Sequence, residues 1–376
     1  MSILSYFIWN GSPEIFQLGS FSLRWYGLFF ALGFLISQQI LYYMYRREGK
    51  PEKDVDTLTI YMVVATILGA RLGHVIFYQP ELIWEEPWSI FLPFEFSPFR
   101  FTGLQGLASH GGAIGILVAL WLYARKRKPG QNYFQVLDRI VILVALTGAM
   151  IRLGNYFNSE IIGKPTDKPF GVVFTGRLTE SLKDKRIDQD GILEDVVYLK
   201  NDTAQTTVVG VKPMVVYLFF KKTANENQVN NFINGQFKYL LTDRMSEFFQ
   251  ESPALQLNFK IAKTDDQSGF VAKVKTNGIA RHPAQLYESI SCIILFGLLL
   301  VLWIRSRENL VPGRLFAIFL IWCFGMRFLF EFLKENQEAF EANLPLNMGQ
   351  ILSIPLVIAG VGILIYTFVK KEVKNS

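Results

Sequence analysis

Long apolar segments constrain this chain more than any other feature of its sequence. Crossing the hydrocarbon core of a bilayer takes about 20 mostly apolar residues. Segments with that character cover residues 21–45, 55–78, 107–124, 133–156, 284–304, 314–333 and 350–369. Charged residues make up only 19% of the chain, against roughly 25% in a soluble domain. The sequence therefore predicts an integral membrane protein of the all-α class with about seven transmembrane helices.

Charges in the connecting loops predict the orientation of these spans, because cytoplasmic loops are enriched in Lys and Arg. The loops on one side and the C-terminal tail carry Arg46, Arg47, Lys50, Lys53, Arg125, Lys126, Arg127, Lys128, Arg305, Arg307, Arg314, Lys370, Lys371 and Lys374. The alternate loops carry Glu81, Glu85, Glu86, Glu95, Glu335, Glu338 and Glu341. We therefore expect the N-terminus outside and the C-terminus in the cytoplasm. The net charge of +6 follows from this orientation and does not indicate a nucleic-acid partner.

Two regions lie outside the predicted spans. Residues 80–106 intersperse aromatic residues with prolines, which predicts an interfacial segment at the level of the lipid headgroups. Residues 158–281 are polar and predict an inserted α+β domain on the outer face. Its short strands are expected at 172–174, 196–199, 207–211, 215–220 and 255–261, with helical spacing over 228–250. The expected division is 1–157 for the first four helices, 158–281 for the inserted domain, and 282–376 for the last three helices and the basic tail.

Ionisable residues at membrane depth are costly, and each is a candidate for function. Arg152 and Asn155 lie on one helical face, and Glu160 follows where that helix ends. Arg327 and Glu331 are i, i+4 neighbours near the outer end of the sixth span. Two arginines at similar depth repel each other unless an anion lies between them, and a guanidinium matches the oxygens of a phosphate. The pattern favours an anionic phospholipid between Arg152 and Arg327, with plain structural ion pairs as the alternative.

Other polar residues in the spans have a structural interpretation. Asp138 and Arg139 lie near a cytoplasmic end and fit buried ions that fix helix packing. His110 is flanked by Gly111 and Gly112, which let a second backbone or a ligand approach closely. On chemistry alone His110 is either a satisfied structural residue or a catalyst. Tyr26, near the outer end of the first span, fits the aromatic belt of a membrane protein equally well.

The sequence does not predict a metal site. Cys292 and Cys323 each lie in an apolar run and indicate neither a disulfide framework nor a metal centre, and the chain has three histidines in all. The patterns Gly-x-Ser-Gly and His-Glu-x-x-His and paired intramembrane aspartates are absent from the sequence, which argues against an intramembrane protease. A non-enzymatic lipid binder or transporter with the same arginine pair remains open.

Seven sequence blocks occur in a specific order. They are Arg24-Trp25-Tyr26-Gly27, Gly69-Ala70-Arg71-Leu72-Gly73, Ser109-His110-Gly111-Gly112-Ala113-Ile114-Gly115, Arg152-Leu153-Gly154-Asn155-Tyr156-Phe157-Asn158-Ser159-Glu160-Ile161-Ile162-Gly163, Arg281-His282-Pro283-Ala284-Gln285-Leu286-Tyr287-Glu288, Arg327-Phe328-Leu329-Phe330-Glu331-Phe332 and Met348-Gly349-Gln350-Ile351-Leu352-Ser353. With these blocks the chain resembles the bacterial prolipoprotein diacylglyceryl transferases, over about residues 15–165 and 278–370. The match departs at Ile151, where the family usually has Gly.

The resemblance implies an enzyme of the bacterial inner membrane that needs no cofactor. It would move the diacylglyceryl group of phosphatidylglycerol to the lipobox cysteine in the signal peptide of a prolipoprotein, forming a thioether and releasing glycerol phosphate. By position, the residues that match functional positions of the family are Arg152 and Arg327, the essential arginines, with Tyr26, His110, Asn155, Glu160, Gly163 and Glu331. Most of 170–275 is expected to be an insertion that the family's shorter head lacks.

The chemistry assigns roles to these residues as hypotheses. Arg152 and Arg327 would bind the phosphate and stabilise the charge that develops on it. His110 is the candidate base for the thiol, since histidine alone has an unperturbed pKa near the working pH; Glu160 and a group of the substrate are the alternatives. Tyr26 and Asn155 would orient the headgroup by hydrogen bonds.

Overall fold

The computed structural model of the protein describes residues 6–18, 21–92, 94–96, 99–101, 106, 108–201, 206–264, 269–335 and 344–375. The chain divides into two compact units, each described here by itself. Unit 1 comprises Met1–Gly33, Gly148–Cys292 and Gly325–Ile354, and unit 2 comprises Phe34–Thr147, Ile293–Phe324 and Pro355–Ser376.

Helices make up most of the described chain. In chain order they are α1 Trp25–Arg47, α2 Lys53–Tyr78, α3 Leu82–Glu85, α4 Ser109–Ala124, α5 Tyr133–Phe157, α6 Gly176–Leu182, α7 Glu226–Phe232, α8 Ala284–Ser306, α9 Arg314–Glu331 and α10 Met348–Asn375. Within the described ranges, five helices are long and apolar enough to cross a membrane, namely α1, α2, α5, α8 and α10. The chain thus has the architecture of a mostly helical, multi-pass membrane protein.

The two other predicted spans correspond to shorter or more charged helices. Helix α4 has 16 residues, which at 1.5 Å per residue gives about 24 Å, against roughly 30 Å of hydrocarbon. The predicted start of this span at Leu107 lies outside the described residues. Helix α9 has 18 residues and includes Arg314, Arg327 and Glu331. The expected total of seven spans therefore stays a prediction.

In unit 2, helices α2 and α4 pack through glycines. A Cβ atom at Gly69 would lie 2.5 Å from Gly111 O, and one at Gly73 would lie 2.6 Å from Gly111 Cα. A Cβ at Gly115 would lie 2.5 Å from Ala65 O. Small residues four apart on both helices let the backbones approach closely, as in many membrane helix pairs. The close approach that Gly111 permits is therefore that of a neighbouring backbone.

Strands occur mainly in unit 1. In chain order the strands are β1 Phe7–Trp9, β2 Glu14–Leu18, β3 Phe21–Arg24, β4 Phe94–Phe96, β5 Phe99–Phe101, β6 Val172–Phe174, β7 Leu193–Lys200, β8 Val211–Phe220, β9 Asn258–Lys263 and β10 Phe270–Ile279. Strands β7, β8, β10 and β9 form an antiparallel sheet in that spatial order, and β1 pairs in parallel with β6. On β10, Ala272 and Val274 are buried while Lys273 and Lys275 are exposed, the period-two pattern of a half-buried strand.

Residues 158–281 contain both strands and short helices, but some elements differ from the predicted ones. The strand predicted at 207–211 is wrong, because Gly210 has a φ of +77° in a turn that precedes β8. The helical spacing over 228–250 belongs to α7 and two π-helical turns, Ile233–Phe237 and Leu240–Arg244. The sequence did not indicate β10.

The described part of the aromatic and proline-rich segment 80–106 consists of short elements. These are α3, a 3-10 turn at Pro87–Ile90 and the hairpin of β4 and β5; residues 93, 97–98 and 102–105 lie outside the described residues. The buried guanidinium of Arg71 donates hydrogen bonds to Ser89 O at 2.9 Å and Ile90 O at 3.0 Å. Arg71, an ionisable residue of the second predicted span, thus holds the turn against α2.

Candidate phosphate site

Five alternating charges form a continuous series in unit 1, which we call the charge chain. Arg152 Nε lies 2.6 Å from Glu288 Oε2, and Lys334 Nζ lies 2.5 Å from Glu288 Oε1. Lys334 Nζ also lies 3.0 Å from Glu331 Oε1, which is 3.8 Å from Arg327 Nε. The two arginines predicted to bind one phosphate are therefore the two ends of a single ionic network.

The middle of the charge chain is buried and its ends are open. The side chains of Glu288, Lys334 and Glu331 are 9% exposed or less, whereas Arg152 is 27% and Arg327 is 44% exposed. Buried charges are tolerated when each is paired, and Lys334 pairs with both carboxylates. Three cations and two anions leave the chain with a formal charge of +1. The excess positive charge lies beside donors that are accessible, which is the arrangement needed to receive an anion.

The position of the Glu331 side chain explains the glycine of the Met348-Gly349-Gln350 block. A Cβ atom at Gly349 would lie 2.7 Å from Glu331 Cδ, so only glycine leaves room for the carboxylate. Asn347 Nδ2 donates to Glu331 Oε2 at 3.2 Å. The start of α10 thus fixes the carboxylate of Glu331 at the end of α9, which is the partner of Arg327.

A second row of polar side chains starts at Arg152. Arg152 Nη1 donates to Asn155 Oδ1 at 3.5 Å, and the buried Asn155 donates through Nδ2 to Glu160 Oε2 at 3.3 Å. Tyr26 of α1 packs directly on α5, where a Cβ at Gly154 would lie 3.0 Å from Tyr26 Cα. The phenol of Tyr26 interacts electrostatically with both Glu160 and Arg152. Tyr26, Arg152, Asn155 and Glu160 therefore form one cluster.

The close carboxylate partner of Arg152 lies on a different helix. Glu288 of α8 makes the contact, although Glu160 is nearer in the sequence. Glu160 lies instead 3.8 Å from Arg177 Nη2. The reason is geometric: Glu160 follows the end of α5, where Ser159 and Ile161 both have positive φ, so its side chain no longer shares the helical face of Arg152.

Gly163 has a backbone role at the edge of this cluster. Its N–H donates to His282 O at 3.0 Å, and its carbonyl accepts a hydrogen bond from Arg281 Nη1 at 3.1 Å. A Cβ atom there would lie 2.6 Å from His282 O and 2.8 Å from Leu333 O. Glycine at this position lets the chain after α5 pass between the start of α8 and the end of α9.

His110 belongs to unit 2, whereas the other predicted site residues belong to unit 1. It is the second residue of α4 and its side chain is exposed. Its ring centroid lies 5.0 Å from that of Phe77 and 6.2 Å from that of Tyr78. The imidazole is therefore an accessible residue beside the end of α2.

Lys334 is the site residue that sequence reasoning missed. It follows the predicted span and resembles an ordinary interfacial lysine in the sequence. Its spacing of three residues from Glu331 was the available signal, because i, i+3 neighbours share a helical face. Glu288 ends the Arg281–Glu288 block, but nothing in the sequence pairs it with Arg152 or Lys334.

Unit 2 contains a different ionic cluster. Arg139 contacts Glu48 Oε2 through Nε at 2.7 Å and Nη2 at 2.6 Å, and Trp303 Nε1 donates to Glu48 Oε1 at 2.7 Å. Lys50 also pairs with Glu48. Burial alone would raise the pKa of Glu48, but the hydrogen bonds from Arg139, Lys50 and Trp303 outweigh it and hold the pKa below its usual value. The donors of Arg139, Lys50 and Trp303 are engaged by Glu48. We therefore interpret this cluster as one that fixes helix packing.

Asp138 has backbone partners. Its carboxylate accepts hydrogen bonds from the N–H groups of Gly313 at 2.7 Å and Phe316 at 2.8 Å, at the start of α9. Both observations agree with the structural interpretation of Asp138 and Arg139. Within the described residues, no group of three or more His, Cys, Asp or Glu side chains lies close enough to hold a metal ion. Cys292 and Cys323 are half-buried thiols.

Comparison with known proteins shows which family the chain resembles. The model of a family described as "Prolipoprotein diacylglyceryl transferase" matches residues 13–366. Proteins named phosphatidylglycerol–prolipoprotein diacylglyceryl transferase are similar to the chain in Bacteroides fragilis (32% identity, 97% of each chain), Tolumonas auensis (31%, 96% of this chain and 98% of the relative) and Chloroherpeton thalassium (32%, 99% and 97%).

Proposed function

Because the chain belongs to the prolipoprotein diacylglyceryl transferase family, we propose that it transfers the diacylglyceryl group of phosphatidylglycerol to a prolipoprotein. The acceptor is the lipobox cysteine of the signal peptide, and transfer is the first step of lipoprotein maturation. The observation that carries the assignment is the charge chain, whose two open ends are arginines. No resident cofactor enters the proposal, because the bond that breaks is supplied by the lipid.

The charge balance supports phosphatidylglycerol as the lipid. Its phosphodiester carries one negative charge, which equals the formal excess of +1 on the charge chain. Guanidinium groups bind phosphate oxygens through paired, charge-assisted hydrogen bonds. Arg152 and Arg327 each retain accessible donors, so one phosphate bridging them would complete the alternation of charges.

The transfer step is a displacement at carbon. The thiolate sulfur of the acceptor attacks the glycerol carbon that carries the phosphodiester oxygen, a carbon–sulfur bond forms, and the carbon–oxygen bond breaks. The electron pair of that bond goes to the phosphate oxygen, and glycerol phosphate leaves. Arg152 and Arg327 stabilise the negative charge that develops on the phosphate oxygen. Such electrostatic stabilisation of the transition state is usually the largest single contribution to catalysis. The thiol must first lose its proton, since only the thiolate is a strong nucleophile.

The remaining residues orient the substrates. We assign His110 as the base for the thiol, because its side chain is accessible and histidine is the side chain that most often serves as a general base; Glu160 is the alternative. Tyr26 and Asn155 hold the headgroup by hydrogen bonds, since both belong to the cluster around Arg152. Glu331 holds Arg327, and Gly163 keeps the chain close to the ends of α8 and α9.

The proposed setting is the bacterial inner membrane, with seven spans and a cytoplasmic C-terminus. Residues 158–281 form the extracytoplasmic domain between the segments 1–157 and 282–376. A green fluorescent protein fused after the last residue should fluoresce, because it folds in the cytoplasm, and alkaline phosphatase fused there should be inactive. The opposite pair of results would reject the orientation.

The function is tested by incubating the purified protein in detergent with phosphatidylglycerol and a lipobox peptide, followed by mass spectrometry of the peptide. We expect a diacylglyceryl mass increase on the cysteine, and none on a matched peptide with serine in its place. A folded protein that binds phosphatidylglycerol without modifying the peptide would be a lipid binder and would reject the proposal.

A further inference from the structure

A polar cavity in unit 1 shares Glu160 with the cluster around Arg152. Its volume is about 360 Å³ and its wall includes Arg24, Asn158, Glu160, Arg177, Asp184 and Glu247. We call it the arginine cavity. Ligand sites begin at roughly 300 Å³, so it has room for a small polar molecule. Its lining contains as many arginines as carboxylates, so it has no large charge of either sign.

A chain of polar contacts connects the cavity to Arg152. Asn155 bridges Arg152 and Glu160, at 3.5 Å and 3.3 Å. Glu160 in turn lies 3.8 Å from Arg177, which follows strand β6 at the start of α6. A group that leaves Arg152 therefore meets a second guanidinium two side chains further on.

Arg177 is held more loosely than Arg186, another arginine of the cavity wall. Its contacts to Glu160 and Glu247 are both 3.8 Å long, against about 2.7–2.9 Å for a hydrogen-bonded ion pair. Among the described residues, its hydrogen bond is from Nε to Asn158 O at 3.3 Å. Arg186, by contrast, binds Asp184 with two nitrogens at 2.7–3.2 Å. The terminal nitrogens of Arg177 are thus weakly engaged donors, and Arg177 is the arginine of the wall that contacts Glu160.

The reaction creates a need for such donors. The lipid phosphodiester carries one negative charge, but the phosphomonoester that leaves carries about 1.5 to 2 near pH 7, by analogy with other phosphomonoesters. The charge chain balances only one. After transfer, the product therefore has more negative charge than the site that formed it can neutralise, and a neighbouring guanidinium favours its departure.

We propose that the arginine cavity is the exit subsite for the glycerol phosphate product and that Arg177 is the residue that receives its phosphate. This inference rests on the proposed function. In it, the phosphate displaces Glu160 and Glu247 from Arg177, and the nearly neutral lining keeps binding weak enough for release. Residues 158–281, which contain Arg177, thereby contribute directly to turnover.

The test is product inhibition of peptide lipidation by added glycerol phosphate. Replacing Arg177 with Gln removes a charge-assisted contact, so the inhibition constant should rise about tenfold, while the KM for phosphatidylglycerol stays within about twofold. Glu247→Gln should have the opposite effect and lower the inhibition constant, because it frees Arg177 from one carboxylate. A change in this direction does not follow from damage to the fold. Arg177→Lys should restore part of the inhibition.

The matched control is Arg186→Gln, which removes the same charge from the same wall but at a group already bound to Asp184. Its inhibition constant should equal that of the wild type. Equal inhibition of the wild type and Arg177→Gln, a rise as large in Arg186→Gln, or a rise only in the KM for the lipid would overturn the inference. If the wild-type protein lipidates no peptide, the proposed function itself fails, which is a separate result.

Discussion

The two units of the protein each contain a cluster of buried charges, and the clusters differ in whether their donors are used up. In unit 2, Arg139 places two nitrogens within 2.7 Å of Glu48, and its side chain is 8% exposed. In unit 1, Arg327 lies 3.8 Å from its carboxylate and is 44% exposed. Buried ions with complete pairing fix a fold, whereas ions with accessible donors bind a ligand. The number of intramembrane charges does not separate these cases, but the use of their hydrogen-bonding groups does.

The largest expected difference is in activity when one arginine of each cluster is neutralised. Arg152→Gln and Arg327→Gln should each lower the rate of peptide lipidation by about 100- to 1,000-fold, because each removes charge stabilisation from the transition state. Arg139→Gln should lower the yield of folded protein and leave the rate per folded molecule near that of the wild type. A normal rate in Arg327→Gln, measured by mass spectrometry of the peptide, would remove the distinction between the clusters.

Stability should respond in the opposite way. Glu48→Gln leaves Arg139 and Lys50 without their carboxylate, and breaking a buried ionic group of this kind costs about 3–5 kcal/mol. The thermal midpoint in detergent should fall clearly. The matched change in the other cluster, Arg327→Gln, affects a half-exposed group and should move the midpoint little. Equal midpoints for the two variants would show that the closed cluster does not stabilise the fold.

Two glycines sharpen the comparison without changing any charge. A methyl group at Gly349 meets the flexible Glu331 carboxylate at 2.7 Å, whereas one at Gly111 meets the backbone of Gly69 at 2.3 Å. Gly349→Ala should therefore displace the partner of Arg327 and lower the lipidation rate by about 10- to 100-fold, as expected for misplaced catalytic groups. Gly111→Ala should instead destabilise the protein by about 1–3 kcal/mol through overpacking. Unfolding curves and rates for both variants test the contrast.

The smallest expected effects concern pH. Burial, with a contribution from Lys168, holds the pKa of His282 in unit 1 below 6.5, so the unfolded chain binds this proton more tightly. Its contribution to stability is complete above pH 6.5 and is lost as the pH falls below that value. For Glu48 of unit 2 the loss begins only below pH 4.5, its unshifted value. In acid titrations of the thermal midpoint, His282→Gln should remove the upper step and Glu48→Gln the lower one.

The sequence predicted elements that depend on local pattern better than contacts between distant segments. Apolar runs and their polar boundaries indicated the helices, and the i, i+4 spacing of Arg327 and Glu331 gave a pair that lies 3.8 Å apart. The partner of Arg152 is Glu288 on α8, and no periodicity connects two helices so distant in sequence. Strand β10 was missed because its lysines made a half-buried strand resemble a loop.

The family blocks named residues, but not how they are connected. Tyr26, Arg152, Asn155 and Glu160 do cluster, and the spacing on α5 suggested this for Arg152 and Asn155. That Lys334 joins Glu288 to Glu331 follows only from how the start of α8 meets the end of α9. The charge chain has a formal charge of +1 only because it includes Lys334. The positive charge of the site could therefore be established only from the structure.

The parallel pairing of β1 with β6 has a consequence for biosynthesis. Phe7–Trp9 is made early, but its partner Val172–Phe174 emerges from the ribosome only after the first predicted transmembrane segments. At roughly 5–20 residues per second, the first strand waits about 10–30 s for its hydrogen bonds. Tyr6, whose hydroxyl donates to Pro213 O at 2.8 Å, waits longer still. During that interval the early strand is exposed to chaperones and proteases, so its protection begins only after α5 has been made.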